Sequence, residues 1–208
     1  MSSQRPPAAR NALGVATVLC VVLAWGVSTA AHACFPMWMV AATAGTRETP
    51  TENALPGDVA EALLARRLII PVAGVARGSL RDTFDERRGA SRHEALDIAA
   101  ARGTPVIATG DGRIVKLFLS VPGGRTVYQF DADGAFAYYY AHLDGYVEGL
   151  REGLPVKRGD VLGYVGTTGN APPNAPHLHF AIFRLGPDKH WWQGTAVNPY
   201  PYLNDAER

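Results

Sequence analysis

Apolar and polar positions alternate along much of this chain with a period of two, the signature of strands with one buried face. The runs that show it are residues 68–73, 95–99, 105–109, 113–120, 125–131, 135–142, 161–165 and 177–184. Asp111-Gly112, Gly123-Gly124 and Asp133-Gly134 stand between several of them, as tight hairpins require. Many short strands, regular turns and no helical period predict a mainly β domain, a compact antiparallel sheet or sandwich. Upstream, residues 43–57 have the Thr, Ala, Gly and Pro content of a linker. Asp58 is placed to cap a short helix running to Arg67, with Val59, Leu63 and Leu64 on one side. The expected layout is a leader over residues 1–33, a linker with a short helix over 34–67, and one β domain over 68–204.

Composition narrows the setting of that domain. At 208 residues there is room for one medium domain and a leader, and the apolar fraction is ordinary for a globular protein. Arg5 and Arg10 precede an uncharged apolar stretch, residues 13–27, and Ala31-His32-Ala33 has the small residues of a cleavage site before Cys34. This reads as an export signal. Three outcomes stay open: cleavage after Ala33, lipidation at Cys34, or retention of residues 13–31 as an inner-membrane anchor. All three put the domain in the periplasm or cell envelope. Setting aside the two leader arginines leaves 18 of the 20 basic residues against 19 acidic ones, so no basic field for nucleic acid remains. Cys20 lies in the leader and Cys34 at its end, which excludes a disulfide framework or a cysteine–metal site in the domain. Any metal there must be held by histidine and carboxylate.

Five histidines lie beyond the leader: His93, His142, His177, His179 and His190. Four of them fall in three clusters. In Pro176-His177-Leu178-His179-Phe180, a strand points both imidazoles to one face while Leu178, Phe180 and Ile182 take the other. In His93-Glu94-Ala95-Leu96-Asp97, even spacing puts His93 and Asp97 on one face of an extended segment, with Leu96 and Ile98 turned inward. Glu94 then faces away and is no catalytic candidate. In Tyr138-Tyr139-Tyr140-Ala141-His142, parity groups Tyr138, Tyr140 and His142, with Tyr139 and Ala141 opposite. Taken singly, these are equally the sequences of a surface ion pair, an aromatic edge strand and a half-exposed histidine pair. Together they offer His93, Asp97 and one histidine of the pair, the set a hydrolytic zinc site needs if its fourth position is open to water. The remaining histidines are then free to move protons or stabilise a transition state. His190 sits in Asp188-Lys189-His190-Trp191-Trp192, a loop whose tryptophans are expected to fill a hydrophobic edge.

The order H-x-x-x-D, Tyr-x-His-Leu, Gly-x-Thr-Gly and PHLHF resembles the LytM/lysostaphin-type zinc metallopeptidases, over residues 68–202. Gly103-Thr104-Pro105-Val106, Asp111-Gly112, Lys157-Arg158-Gly159-Asp160 and Gly166-Thr167-Thr168-Gly169-Asn170 extend the match. The resemblance implies a Zn2+ cofactor with His93, Asp97 and His179 as metal ligands. It implies His142 and His177 as catalytic histidines, and an antiparallel β scaffold with a groove over the metal. The substrate it implies is the peptide stems or cross-bridges of peptidoglycan, cut by an endopeptidase. The alternative is a non-catalytic member that binds peptidoglycan or activates another wall hydrolase. Such members typically lack a ligand, and this chain lacks none. Two positions depart from the family pattern. Ala95 stands where Gly is common, which matters if the backbone there needs positive φ. Ala181 follows the H-x-H-Phe run where many members carry Glu.

Overall fold

The first turn of helix α1 (Pro56–Ala65) starts with a proline, whose fixed φ and missing N–H suit that position, and carries Asp58. This is a computed structural model, describing residues 56–205; the leader and its export, lipidation and anchor readings lie outside the described residues. No helix among the described residues is long and apolar enough to cross a membrane. Leu63 is fully buried, but Leu64 is 61% exposed, so the apolar side of α1 is narrower than the pattern predicts.

Eleven strands follow among the described residues. β1 (Arg87–Arg88) and β2 (Ser91–Arg92) form a separate small hairpin. The others are β3 (Leu96–Ala99), β4 (Pro105–Ile107), β5 (Gly112–Ser120), β6 (Gly124–Asp131) and β7 (Phe136–Tyr146). They continue with β8 (Pro155–Val156), β9 (Val161–Val165), β10 (His177–Leu185) and β11 (Gly194–Val197). These make one nine-stranded sheet whose main path runs β11-β10-β7-β6-β5-β8. β9 joins the far end of β7, β4 joins β9, and β3 joins the first half of β10. Every named strand pair is antiparallel, as the turn-punctuated sequence predicts.

Three expectations need correction. Residues 68–73 make only isolated bridges, Ile69 to Asn204 and Val72 to Val106. Pro71 interrupts that run and has no N–H to give a ladder. Its apolar neighbours Leu68, Ile69, Ile70 and Val72 are nevertheless buried. Asp111-Gly112 is not a hairpin, because β4 pairs with β9 while β5 pairs with β6 and β8. The Asp111 carboxylate instead accepts the Arg158 amide at 2.9 Å and Lys157 Nζ at 3.0 Å. Gly123-Gly124 and Asp133-Gly134 do turn β5 into β6 and β6 into β7. Finally, β1, β2, β8 and β11, of two to four residues each, escape a pattern search because they are too short to show alternation.

The main core lies on one face of the sheet. Leu96, Ile98, Tyr138, Tyr140, Leu178, Phe180 and Ile182 are all within 1% of full burial there. Each large apolar side chain so buried contributes roughly 1.5–3 kcal/mol. The Tyr140 hydroxyl stays satisfied, donating to Gln129 Oε1 at 2.7 Å and accepting the Thr109 amide at 3.1 Å. α1 is fastened by Arg66, which pairs with Asp131 at 2.6 Å, and Asp131 also accepts the Phe136 amide at 2.9 Å. A smaller cluster of Phe130, Ala137 and Leu185 is covered by Trp191, the edge-filling role expected of it. Trp192 is 61% exposed and stacks on His190, so that expectation fails for the second tryptophan.

Candidate active site

β10 is flanked at its first half by β3 and β7, and this places three distant segments side by side. His179 is in register with Asp97 on β3 and with Ala141 on β7. Cross-strand partners share a face, so Asp97 and His179 meet on the side opposite Leu178 and Phe180. Asp97 Oδ1 lies 3.1 Å from His179 Nδ1 and 3.0 Å from His93 Nε2, and those two nitrogens are 3.1 Å apart. The three side chains are thus brought together. The second Asp97 oxygen is held at 2.8 Å by Arg88, a contact that sequence reasoning missed because β1 is only two residues long.

His93 does not arrive by strand parity. The segment is not extended through Glu94, which takes a left-handed φ of 54° and is exposed. Regular strand begins only at Leu96. Ala95 is fully buried and has no positive φ, so its methyl group is compatible with the backbone here. The His93 ring is instead aimed by Nδ1, which sits 3.0 Å from the Thr83 carbonyl. A carbonyl can only accept, so Nδ1 carries the proton and Nε2 presents a lone pair to the cluster.

His142 departs from expectation more sharply. Tyr138 and Tyr140 face the core, and strict alternation would send His142 there with them. A φ of 63° at His142 breaks the alternation and turns the imidazole to the opposite face. Its ring centroid lies 5.0 Å from that of His177 and 5.6 Å from that of His179. Tyr139, assigned by parity to the other side from His142, in fact shares its face and sits edge-on to His179 at 6.0 Å. Pairing Tyr139 with Ala181 across β7 and β10 would have found it. Ala181 is buried on this same face.

The glycine motifs explain how His142 is held. Its Nδ1 donates to the Thr168 carbonyl at 2.8 Å, and its amide donates to the Gly123 carbonyl at 2.8 Å. Thr168 packs so closely on the β5–β6 turn that a Cβ at Gly124 would come 2.1 Å from Thr168 Oγ1. A Cβ at Gly169 would come 2.3 Å from the Gly124 nitrogen, and both glycines have positive φ. His177 is held similarly, with Nδ1 donating to the Ala175 carbonyl at 2.8 Å. Its Nε2 lies 3.8 Å from Asp97 Oδ1.

Electrostatics agree with this geometry. Burial alone would raise the Asp97 carboxyl, but the close contacts with the His179 and His93 imidazoles outweigh it and hold the group far below the usual carboxylate range. Burial pushes the His142 imidazole down to about 4, against the pull of its hydrogen bond to Thr168. His142 is therefore neutral near pH 7. A metal fits the chemistry of this donor set. Ligand atoms around tetrahedral zinc stand roughly 3.3 Å apart, and the three donors here are separated by 3.0–3.1 Å. His93, Asp97 and His179 are the group of metal-binding residue types that converges in this way among the described residues.

The profile of peptidase family M23 matches residues 91–199, more than half of the chain. The L-Ala–D-Glu endopeptidase of Bacillus subtilis (strain 168) is 33% identical over 138 residues, covering 62% of this chain and 41% of that protein. The murein hydrolase activator NlpD of Escherichia coli (strain K12) is 30% identical over 126 residues, covering 61% of this chain and 29% of that protein. The chain thus spans less than half the length of either relative. Among solved structures, a lytM protein of Ruminococcus gnavus aligns with a TM-score of 0.57 at 28% identity. That alignment covers 71% of this chain and 66% of the other. The chain belongs to peptidase family M23.

Proposed function

We propose that this member of peptidase family M23 is an exported, zinc-dependent endopeptidase that hydrolyses peptide bonds in the stems or cross-links of peptidoglycan. His93, Asp97 and His179 are the proposed zinc ligands, and His142 and His177 the proposed catalytic histidines. The observation that carries this is the convergence of three donor atoms within hydrogen-bond distance of one another, with two further imidazoles turned to the same face. When bound, zinc would polarise the scissile carbonyl and lower the pKa of a bound water towards neutrality.

The chain's own residues support the rest of the chemistry. His142 and His177 each commit Nδ1–H to a backbone carbonyl, which leaves Nε2 as the free atom on each ring. A neutral Nε2 can accept a proton from an attacking water, and once protonated it can donate to the oxyanion or the leaving amine. Asp97 stays ionised across the working pH range and so remains an anionic donor. The names of both relatives above point to the cell wall, which supports peptidoglycan as the polymer acted on. The leader read from the sequence supports export.

A second reading is an activator of another wall hydrolase, favoured by the resemblance to NlpD. The complete set of five site residues weighs against it. Incubation of the protein with purified peptidoglycan, with and without chelator, followed by mass analysis of released fragments, decides between them. Metal-dependent release of peptide products is expected. No release from the zinc-loaded protein, together with stimulation of a second hydrolase, would replace the enzyme reading with the activator.

A further inference from the structure

We infer that Thr83 is a positioning residue for the metal cluster, one side chain and one carbonyl that hold His93 and Asp97 in fixed relation. The inference rests on the reading above that this cluster binds zinc. Thr83 precedes the β1–β2 hairpin, in a stretch where the sequence pattern offers no element. It is 7% exposed, so water cannot substitute for its hydrogen bonds.

The carbonyl and the hydroxyl of the residue each make two hydrogen bonds, and most of these serve the site. The carbonyl takes His93 Nδ1–H at 3.0 Å and the Glu86 amide at 3.1 Å. The hydroxyl takes the Asp97 amide at 3.0 Å and donates to the Ala95 carbonyl at 3.2 Å. The first contact sets the His93 tautomer and directs Nε2 at the cluster. The hydroxyl pins the backbone of Asp97 on β3, which has β10 as its one strand partner among the described residues. Glu94, with its left-handed backbone, lies between these two ligands, so the short chain linking them cannot by itself be relied on for their spacing. Thr83 bridges that irregular segment.

The brace is itself anchored. Phe84 donates its amide to Asp82 Oδ1 at 3.1 Å, and Asp82 Oδ2 accepts Asn198 Nδ2 at 2.8 Å. The Glu94 amide donates to the Phe84 carbonyl and the His93 amide to the Glu86 carbonyl, both at 2.9 Å. Residues 83–86 are thus tied both to the ligand segment and to the chain beyond β11. Groups that orient metal ligands typically change metal affinity by about 10–100-fold when removed.

The test compares Thr83→Val, which keeps the shape and the carbonyl but loses the hydroxyl, with Thr83→Ser, which keeps the hydroxyl. Zinc affinity is read on the full chain by competition with a chelator of known affinity, and unfolding is followed without metal. Thr83→Val should bind zinc about 10–100-fold more weakly, and Thr83→Ser should stay close to wild type. The visible absorption bands of the cobalt(II)-substituted protein should shift for valine and not for serine, a change that loss of stability alone does not produce. Thr83→Ala supplies the same readout if valine prevents folding. Wild-type zinc affinity in both Thr83→Val and Thr83→Ala, or equal weakening in valine and serine variants, would overturn the inference. A wild-type protein that takes up no zinc would instead overturn the reading it rests on.

Discussion

Two ways of delivering a side chain meet at this site. Asp97 and His179 sit opposite each other in a regular antiparallel ladder, and His177 follows on the same strand. His93 and His142 reach the same face through breaks in regularity, with left-handed backbone at Glu94 and at His142 itself. Non-glycine residues held in that region cost on the order of 1–3 kcal/mol each, so the surroundings must impose the conformation. At His142 those surroundings are the carbonyls of Gly123 and Thr168, and at His93 they are Thr83 and Glu86. Ladder positions come with the sheet, whereas the irregular ones need a dedicated local frame.

The largest effect is expected on the ladder side. Asp97→Ala and His179→Ala each remove a proposed ligand and should lose zinc by more than the roughly 100-fold typical of disturbing a ligand's support. Metal analysis after gel filtration checks this, and retained stoichiometric zinc in either variant would remove that residue from the ligand set. His142→Ala, on the irregular side, should keep its zinc while turnover on peptidoglycan falls by about 10²–10⁴-fold. Steady-state rates at matched zinc content measure it. Loss of metal together with activity would make His142 part of the metal frame instead.

The smallest effect sharpens the comparison through pH. His142 titrates near 6.5 when unfolded but is held down at about 4 in the fold. Between those values the unfolded chain binds more protons than the folded one, so stability falls as pH drops from 6.5 towards 4. His142→Asn, which tolerates left-handed backbone but does not titrate, should flatten that part of the metal-free stability profile. Urea midpoints across the window test it; an unchanged slope would assign the dependence to other groups.

The faces of β3 and β10 were readable from spacing because each ladder is continuous where it matters. Leu96 and Ile98, like Leu178, Phe180 and Ile182, are buried as alternation predicts. The same rule placed Tyr139 correctly opposite Tyr138 and Tyr140 but misplaced His142, since one residue with positive φ reverses parity for the side chain that carries it. It also overread residues 68–73, where Pro71 denies the run a ladder. Arg88 and Thr83 left no periodic signal, because each lies in a short or irregular segment and acts through hydrogen bonds that no repeating spacing marks.

By itself the sequence determined the mainly β architecture, the inward faces of the long strands and the identities of the residues proposed to hold a metal. Those follow from side-chain chemistry and a two-residue period, both local properties. Only the tertiary structure decided which way His93 and His142 point, that Tyr139 borders the cluster, and that Thr83 and Arg88 grip its members. These depend on hydrogen bonds between separate segments that no local period relates: Thr168 with His142, or Arg88 with Asp97. A backbone carbonyl looks the same at every position in a sequence, and it acquires a role only when folding brings an imidazole N–H to it.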